Sequence, residues 1–512
     1  MADLKSKAIR NSLNGLLIQL VMIPVNFLLR IIILKYIGVE ILGISGTIQS
    51  LVGILSLAEG GISAAISYCL YKPLVEKHYD GINEYISAYR RFYSIIAFVV
   101  LGIGIVLSFF LRFFLKDVDI NGTVYGIFYL DLLNSVVSYL ICYRRTLFTV
   151  DMKNYICNNV DTACKLVFMS LGTVLVYLTR NYLFYLGAVI ANTITANVII
   201  HFLAQKMYPF LHQKKANKNI LKEIISYSKQ LIFGNVSSYI FNSTDNIVIS
   251  MSSKTINVGY LSNYTMISTY LRDISASFLG GIGPAVGQKQ VNSDLHEKRN
   301  IYLKYSQICF ITAISVCTPL FVLLDYFIGS VYGEEYVMKK SISLLVTLII
   351  YVYLVPTAYG TLVVTNGKFD VSKNADFSAA LVNLVSSIVL ANIFGIEGVL
   401  AGTVIGSIMG WLVRGKYVLT DLLEYSKWKC VKRIVKEIYC IFLLAISISV
   451  SKFISDHLGI NNFIIKFIAI GIISIVISEV VYFMLYRFRD RIKLSEILGL
   501  FLKYAKGKFK HE

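Results

Sequence analysis

Ionisable side chains interrupt long apolar runs, and the candidates among them are Arg30, Glu59, Asp131, Lys165, Lys229, Asp245, Arg272, Asp273 and Glu479. A charge at the centre of a bilayer costs at least about 2.5 to 3.5 kcal/mol on insertion scales, so each demands a partner, a wet cavity or a route to the surface. Two kinds of chemistry suit such positions. A guanidinium can grip the oxygens of an anionic group through paired hydrogen bonds. A carboxylate drawn out of water can bind and release a proton or Na⁺. Arg272 and Arg30 are the candidates for the first role, with Asp273 beside Arg272 a further substrate-cleft candidate, and Glu59 and Asp245 are the candidates for the second. For each, the structural alternative is neutralisation by a neighbouring Arg, Ser or Asn, and Arg30 could also snorkel to the outer headgroups. Asp131 and Glu479 are open to either reading. Asp161 and Lys165 have the four-residue spacing of a same-face ion pair, and Asp161 and Asp376 fall in the first turn of their segments, where the helix dipole favours an acid.

The elements that must hold these residues are membrane spans. The 512-residue chain is 56% hydrophobic yet carries a formal net charge of +19, and the charges collect in short loops between long apolar runs. Runs long enough to cross roughly 30 Å of hydrocarbon number about fourteen: 11–36, 41–70, 92–116, 124–148, 158–179, 182–205, 224–252, 257–287, 303–330, 341–364, 376–394, 397–418, 436–456 and 462–487. The expected fold is therefore an all-α membrane protein. Alternate loops differ sharply in Lys and Arg, with about 36 of 49 in one set, so the positive-inside rule places both termini in the cytoplasm. The basic residues flank spans, which argues for anionic headgroups and against nucleic acid as their partner. Tyr425 to Glu437, with Trp428, and the tail Lys493 to Lys510 read as basic amphipathic segments on the inner leaflet. The apolar stretch Asn11 to Ile37 is too long for the core of a cleavable signal peptide. Eight cysteines without a CxxC pair are expected to be free thiols, with no metal site.

Several classes are disfavoured. No phosphate-binding G-x-x-x-x-G-K-[ST] occurs, and its nearest approach, Asn366-Gly367-Lys368-Phe369, lacks the first glycine and the hydroxyl. The short loops offer neither a pore loop nor room for the clustered residues of a membrane-bound enzyme. Secondary transport, with no cofactor and with coupling to a H⁺ or Na⁺ gradient, is the default.

The chain also repeats itself. At one fixed offset, Thr146 to Ile190 matches Thr361 to Ile405 without gaps, pairing Lys153 with Lys368, Asn159 with Asn374, Asp161 with Asp376 and Gly187 with Gly402. Similar offsets set Gly15 on Gly234, Gly43 on Gly259 and Gly60-Gly61 on Gly280-Gly281. A six-span repeat preserves orientation, so its symmetry axis runs along the membrane normal, as in alternating-access transporters. The expected organisation is an N-terminal six-helix lobe over 1–210, a C-terminal six-helix lobe over 211–425, and 426–512 as two additional helices with a basic tail. The two lobes would face each other across a cleft. The candidate residues lie on spans one, two, seven and eight, which the repeat makes equivalent in pairs. Pro24, Pro284, Pro319 and Pro356 lie inside spans and would kink them, while the paired glycines permit close helix approach.

Leu42-Gly43 through Leu57-Ala58-Glu59-Gly60-Gly61-Ile62-Ser63-Ala64-Ala65, followed by Tyr71-Lys72-Pro73-Leu74, resembles the second-span block of bacterial polysaccharide-unit flippases, the O-antigen or capsule (Wzx-type) flippases of the MOP exporter superfamily. Gly234-Asn235 through Asp245-Asn246 to Ser250, the turn Val258-Gly259-Tyr260, and Asn366-Gly367-Lys368 through Asn383 to Gly398-Val399 are similar to later blocks of the same family. The resemblance covers essentially the whole chain. It implies a V-shaped, MATE-like bundle in the bacterial plasma membrane, with spans one, two, seven and eight lining the cleft. It also implies a lipid-linked oligosaccharide as substrate, an undecaprenyl pyrophosphate carried from the inner to the outer leaflet, with a polysaccharide polymerase and glycosyltransferases as partners. A pyrophosphate is what the cleft arginines would grip. The rival readings within the superfamily are a lipid II flippase and a multidrug or organic-cation antiporter.

Overall fold

In the computed structural model, which describes residues 2–486 apart from 213, 215, 216, 292, 459 and 461, the regular structure is helical throughout. The helices are α1 Ala2–Ile37, α2 Val39–Ile54, α3 Ile62–Val75, α4 Tyr79–Ser108, α5 Leu111–Phe114, α6 Gly122–Ile141, α7 Arg145–Val150, α8 Asn154–Thr179 and α9 Tyr182–Met207. They continue as α10 Lys218–Ser252, α11 Thr255–Val291, α12 Leu295–Val331, α13 Lys340–Leu354, α14 Thr357–Thr365, α15 Phe369–Phe394, α16 Ile396–Tyr417, α17 Lys427–His457 and α18 Phe463–Val481. The basic tail expected from Lys493 onward lies outside the described residues.

Among the described residues, twelve segments are long and apolar enough to cross a bilayer, so this is a multi-pass membrane protein. The two remaining expected spans are α10 and α11. At 35 and 37 residues they are long enough, but their Ser, Asn, Lys, Arg and Asp content lowers their hydropathy. These same two helices carry Lys229, Asp245, Arg272 and Asp273. Pro24, Pro284 and Pro319 lie within continuous helices, whereas Pro356 separates α13 from α14.

The chain forms two compact units, Met1–Ser262 and Asn263–Glu512. Within the first, α8 pairs with α9 and packs on α1, α6 lies between α4 and α9, and α10 lies on α2 and α3. This last packing draws α10 into the first unit, so grouping by contact differs from grouping by repeat. Within the second unit, α12 is the buried centre, surrounded by α13, α17 and α18, and α15 runs tightly along α16. A four-residue glycine ladder permits that approach: a Cβ at Gly398 would sit 2.1 Å from the Leu390 carbonyl oxygen, and one at Gly402 2.5 Å from the Ser387 nitrogen.

The repeat is written into the element boundaries. The 26-residue helices α8 and α15 begin and end at positions related by the same offset that pairs Asp161 with Asp376, and so do the ends of α7 and α14. The intervening turn is repeated bond for bond. Lys153 N donates to the Phe148 carbonyl and Met152 N to Thr149, while Lys368 N donates to Val363 and Gly367 N to Val364. Both turns need a left-handed residue, which is Met152 at φ 56° in the first copy and Gly367 at φ 69° in the second. Asn366-Gly367-Lys368 is thus a helix-ending turn.

A second expression of the repeat is a crossing of α2 with the start of α11, within the first unit. A Cβ on Gly43 would lie 2.3 Å from the Thr255 carbonyl oxygen, and a Cβ on Gly259 would lie 2.1 Å from that of Val39. Each glycine meets the carbonyl four residues before the other, the reciprocity of a two-fold contact. Asp117 fixes the start of α11 by accepting from the Thr255 amide at 2.9 Å and its hydroxyl at 2.6 Å.

Candidate functional site

The second span is not one continuous helix. After α2 the chain tightens into a 3₁₀ turn, Leu55–Glu59, and passes through Gly60 and Gly61, both left-handed at φ 55° and 80°, before resuming as α3. Only glycine adopts two such conformations in succession without strain. Ser228 of α10 caps the freed Gly60 carbonyl at 2.6 Å. The break presents Glu59 at a helix end within the bundle, with Tyr93 of α4 donating to its Oε1 at 2.6 Å. Tyr89 and Tyr139 stack edge-on against Tyr93, with ring centroids 4.3 and 5.3 Å away. Among the described residues no cation pairs with Glu59. The repeat counterpart Gly280-Gly281 sits inside unbroken α11, so the break belongs to one copy only. Discontinuous helices of this kind present backbone and carboxylate groups where membrane transporters bind ions.

Arg30 of α1 donates through Nη2 to Ser262 Oγ, a partner at the far end of the first unit's sequence. Asp245 is partly buried in α10, where the adjacent Asn246 donates to Ser50 of α2 at 3.0 Å. In the second unit Arg272 and Asp273 are sequence neighbours on α11, their nearest charged atoms 3.4 Å apart and their side chains 34% and 47% exposed. The Arg272 guanidinium also lies 5.5 Å from the Tyr353 ring centroid. A side-by-side pair this exposed leaves the guanidinium edge available for an anion, because exposed ion pairs hold each other weakly. Glu59, Arg30 and Asp245 therefore share the first unit, while Arg272 and Asp273 belong to the second.

Of the other intramembrane charges, Asp161, Asp376 and Glu479 have local partners. Asp161 does not pair with Lys165. Its two oxygens accept from Arg145 at 2.7 Å each, a bidentate bond across the α7–α8 turn, and Arg145 Nε also donates to Asn197 of α9 at 2.6 Å. Helical spacing favoured Lys165, but planar fork geometry favours arginine. The repeat position Asp376 likewise accepts from an arginine, Arg414 of α16. Glu479 accepts from Ser315 at 2.6 Å. Asp131 is 9% exposed, and among the described residues its Oδ2 has no hydrogen-bond partner.

Tyr425 to Glu437 is only partly the surface segment its composition suggests. Trp428 is 66% exposed, but Arg433 and Glu437 are buried. Glu437 accepts from Arg433 Nε at 3.2 Å and from Tyr359, while Arg433 also donates to Tyr302 at 3.0 Å and to Ser306. Sequence periodicity could have flagged the i, i+4 pair, but nothing in it identifies the hydroxyls of α12 and α14 as partners.

Solved structures share this arrangement of helices. A lipid II flippase, MurJ, in an inward closed conformation superposes with a TM-score of 0.63 over 95% of this chain and 100% of its own, at 17% identity. An inward-facing multidrug resistance MATE family transporter of the MOP superfamily gives 0.57 over 76% and 92%, at 15% identity. The chain has the fold that these two transporters share. A Vibrio cholerae MATE transporter, VcmN, matches at 0.50 over 83% and 99%, at 12% identity. A family model described as polysaccharide biosynthesis protein matches residues 124–341. No curated protein matches the chain by sequence. The shared fold and the polysaccharide biosynthesis match agree with the resemblance drawn from the sequence, and these structural neighbours are transporters.

Proposed function

We propose that the chain is a secondary transporter of the bacterial plasma membrane, with both termini cytoplasmic, that flips undecaprenyl-pyrophosphate-linked oligosaccharide units from the inner to the outer leaflet. The observation that carries this reading is the part-exposed Arg272, set between its neighbour Asp273 and the Tyr353 face, in a chain matched by a polysaccharide biosynthesis family. A pyrophosphate headgroup is strongly anionic, and a guanidinium with a free edge meets it bidentately while the polyprenyl tail stays in lipid. Asp273 orients Arg272, and Arg30 of the first unit is a further substrate-binding candidate. Glu59, at the helix break and hydrogen-bonded by Tyr93, is the site for a coupling H⁺ or Na⁺, with Asp245 the second carboxylate of that relay. Transport is non-enzymatic, and the polymerase and glycosyltransferases of glycan assembly act before and after it.

Deletion in the native host is expected to trap lipid-linked repeat units in the inner leaflet. Arg272→Ala should reproduce the block at normal protein level, and Glu59→Gln should abolish the dependence of flipping on the ion gradient. Full surface glycan in the Arg272→Ala strain would refute the site. Accumulation of lipid II in the deletion strain would replace the substrate assignment.

A further inference from the structure

On the first unit, α4, the 3₁₀ turn Cys142–Arg144 and the segment after α9 enclose an open cavity of about 770 Å³, lined by Arg90, Arg91 and Arg144. We propose that this cavity binds the headgroup phosphate of an anionic glycerophospholipid, in the leaflet next to the basic loops. The inference does not depend on what the protein transports.

The three arginines are uncompensated. Among the described residues none of them has a carboxylate partner. The nearby acids Asp80 and Glu84 are already held by Lys214, at 3.2 and 3.0 Å. The Arg90 and Arg144 guanidiniums each lie 5.9 Å from the centroid of the same buried ring, Tyr143, and both line the one cavity. Arg144 is further aimed by donating to the His201 carbonyl at 3.3 Å. The opposite wall is built, since Asn83, 1% exposed, donates to the Phe210 carbonyl at 2.9 Å and accepts from the His212 amide at 3.1 Å. Neighbouring guanidiniums in such a recess suit a phosphate, whose oxygens accept paired hydrogen bonds from each.

The wall below the arginines argues for a lipid over a soluble phosphate. Ile95 and Phe98 line the cavity and are 52% and 69% exposed, and Val106, further along the same helical face, is 57% exposed. An acyl chain descends this strip while its phosphate stays with the arginines, the arrangement of basic pockets that bind anionic headgroups between spans.

The test uses the full chain purified in neutral detergent and titrated separately with phosphatidylglycerol, phosphatidylcholine and inorganic phosphate, with retained lipid read by native mass spectrometry. Phosphatidylglycerol should be retained and phosphatidylcholine should not. Each arginine replaced by Gln should weaken retention about fivefold, the factor for ~1 kcal/mol, and the R90Q/R91Q/R144Q triple on the order of 100-fold. The K427Q/K429Q/K432Q triple removes as much charge from the basic surface of α17 and should weaken retention far less than the arginine triple. If that control weakens retention equally, or if inorganic phosphate competes as strongly as the lipid, the site is overturned. Should the arginine triple fail to fold, the exposed single variants R90Q and R91Q give the same reading, and no fivefold step in either would refute it.

Discussion

Replacing Gly43 or Gly259 with alanine tests the reciprocal crossing of α2 and α11. The added Cβ would lie 2.3 Å from the Thr255 carbonyl oxygen in one case and 2.1 Å from that of Val39 in the other, where ordinary contact is 3.4–4 Å. Both obstacles are backbone, so no side chain can turn aside and the helices must part by about an ångström. Overpacking costs about 1 to 3 kcal/mol where some relief exists, so each variant should lie near ~3 kcal/mol. In a unit of this size each kcal/mol is worth roughly 2 to 4 °C, giving a drop of about 6 to 12 °C in apparent Tm. Because one separation relieves both clashes, the double variant should lose clearly less than the sum of the singles. Gly187→Ala and Gly360→Ala, where a Cβ meets nothing within 4 Å, are the controls, and should hold or raise Tm through helix propensity. The assay is thermal denaturation of detergent-solubilised protein followed by size-exclusion chromatography. Gly43→Ala and Gly259→Ala proteins melting within about 2 °C of wild type, on the scale just given, would refute the crossing.

Met152→Gly should stabilise the first unit by ~0.5 to 1 kcal/mol, because relief of a left-handed side chain exceeds the added unfolded-state entropy; the same melting assay should show Gly367→Met going the other way. Asp161→Leu should destabilise the α7–α8 turn by about 1 kcal/mol, discounted for partial exposure, and the exchange Arg145→Asp with Asp161→Arg should recover part of the loss in a double-mutant cycle. Glu437→Leu alone leaves buried Arg433 without its anion and should cost about 3 to 5 kcal/mol, whereas Arg433→Met with Glu437→Leu together should be near neutral. A double variant as unstable as the single would show that the network of Tyr302, Tyr359 and Ser306 depends on the charges themselves.

The spans were legible because a bilayer imposes one strong demand, a long apolar run, and the chain meets it almost everywhere. The two helices that meet it least, α10 and α11, are legible for the opposite reason: their charges stand out. The repeat was readable to the residue from Thr146 onward, down to the turn shared by Met152 and Gly367. Partners were not. Helical spacing offers Lys165 to Asp161, yet Arg145 takes it through a turn whose geometry no periodicity encodes. The break at Gly60-Gly61 was equally hidden, since paired glycines at 280–281 run on as helix. What differs is the Ser228 hydroxyl that caps the freed carbonyl, a long-range partner. Arg433 and Glu437 read as surface charges for the same reason, because hydroxyls far away in sequence bury them.

The constant separation between the two copies also bears on how the chain can change length. From the turn at Met152 and Gly367 to the ends of α8 and α15 the copies keep step. The earlier glycine pairs, Gly15 with Gly234, Gly43 with Gly259 and Gly60 with Gly280, are each set slightly further apart, and by differing amounts. Insertions and deletions accepted since the copies diverged are therefore confined to the first spans of each copy and the loops between them. A reporter peptide for mapping topology belongs in those loops. The same peptide placed between α7 and α8, or between α14 and α15, would enter a segment whose length has not drifted in either copy.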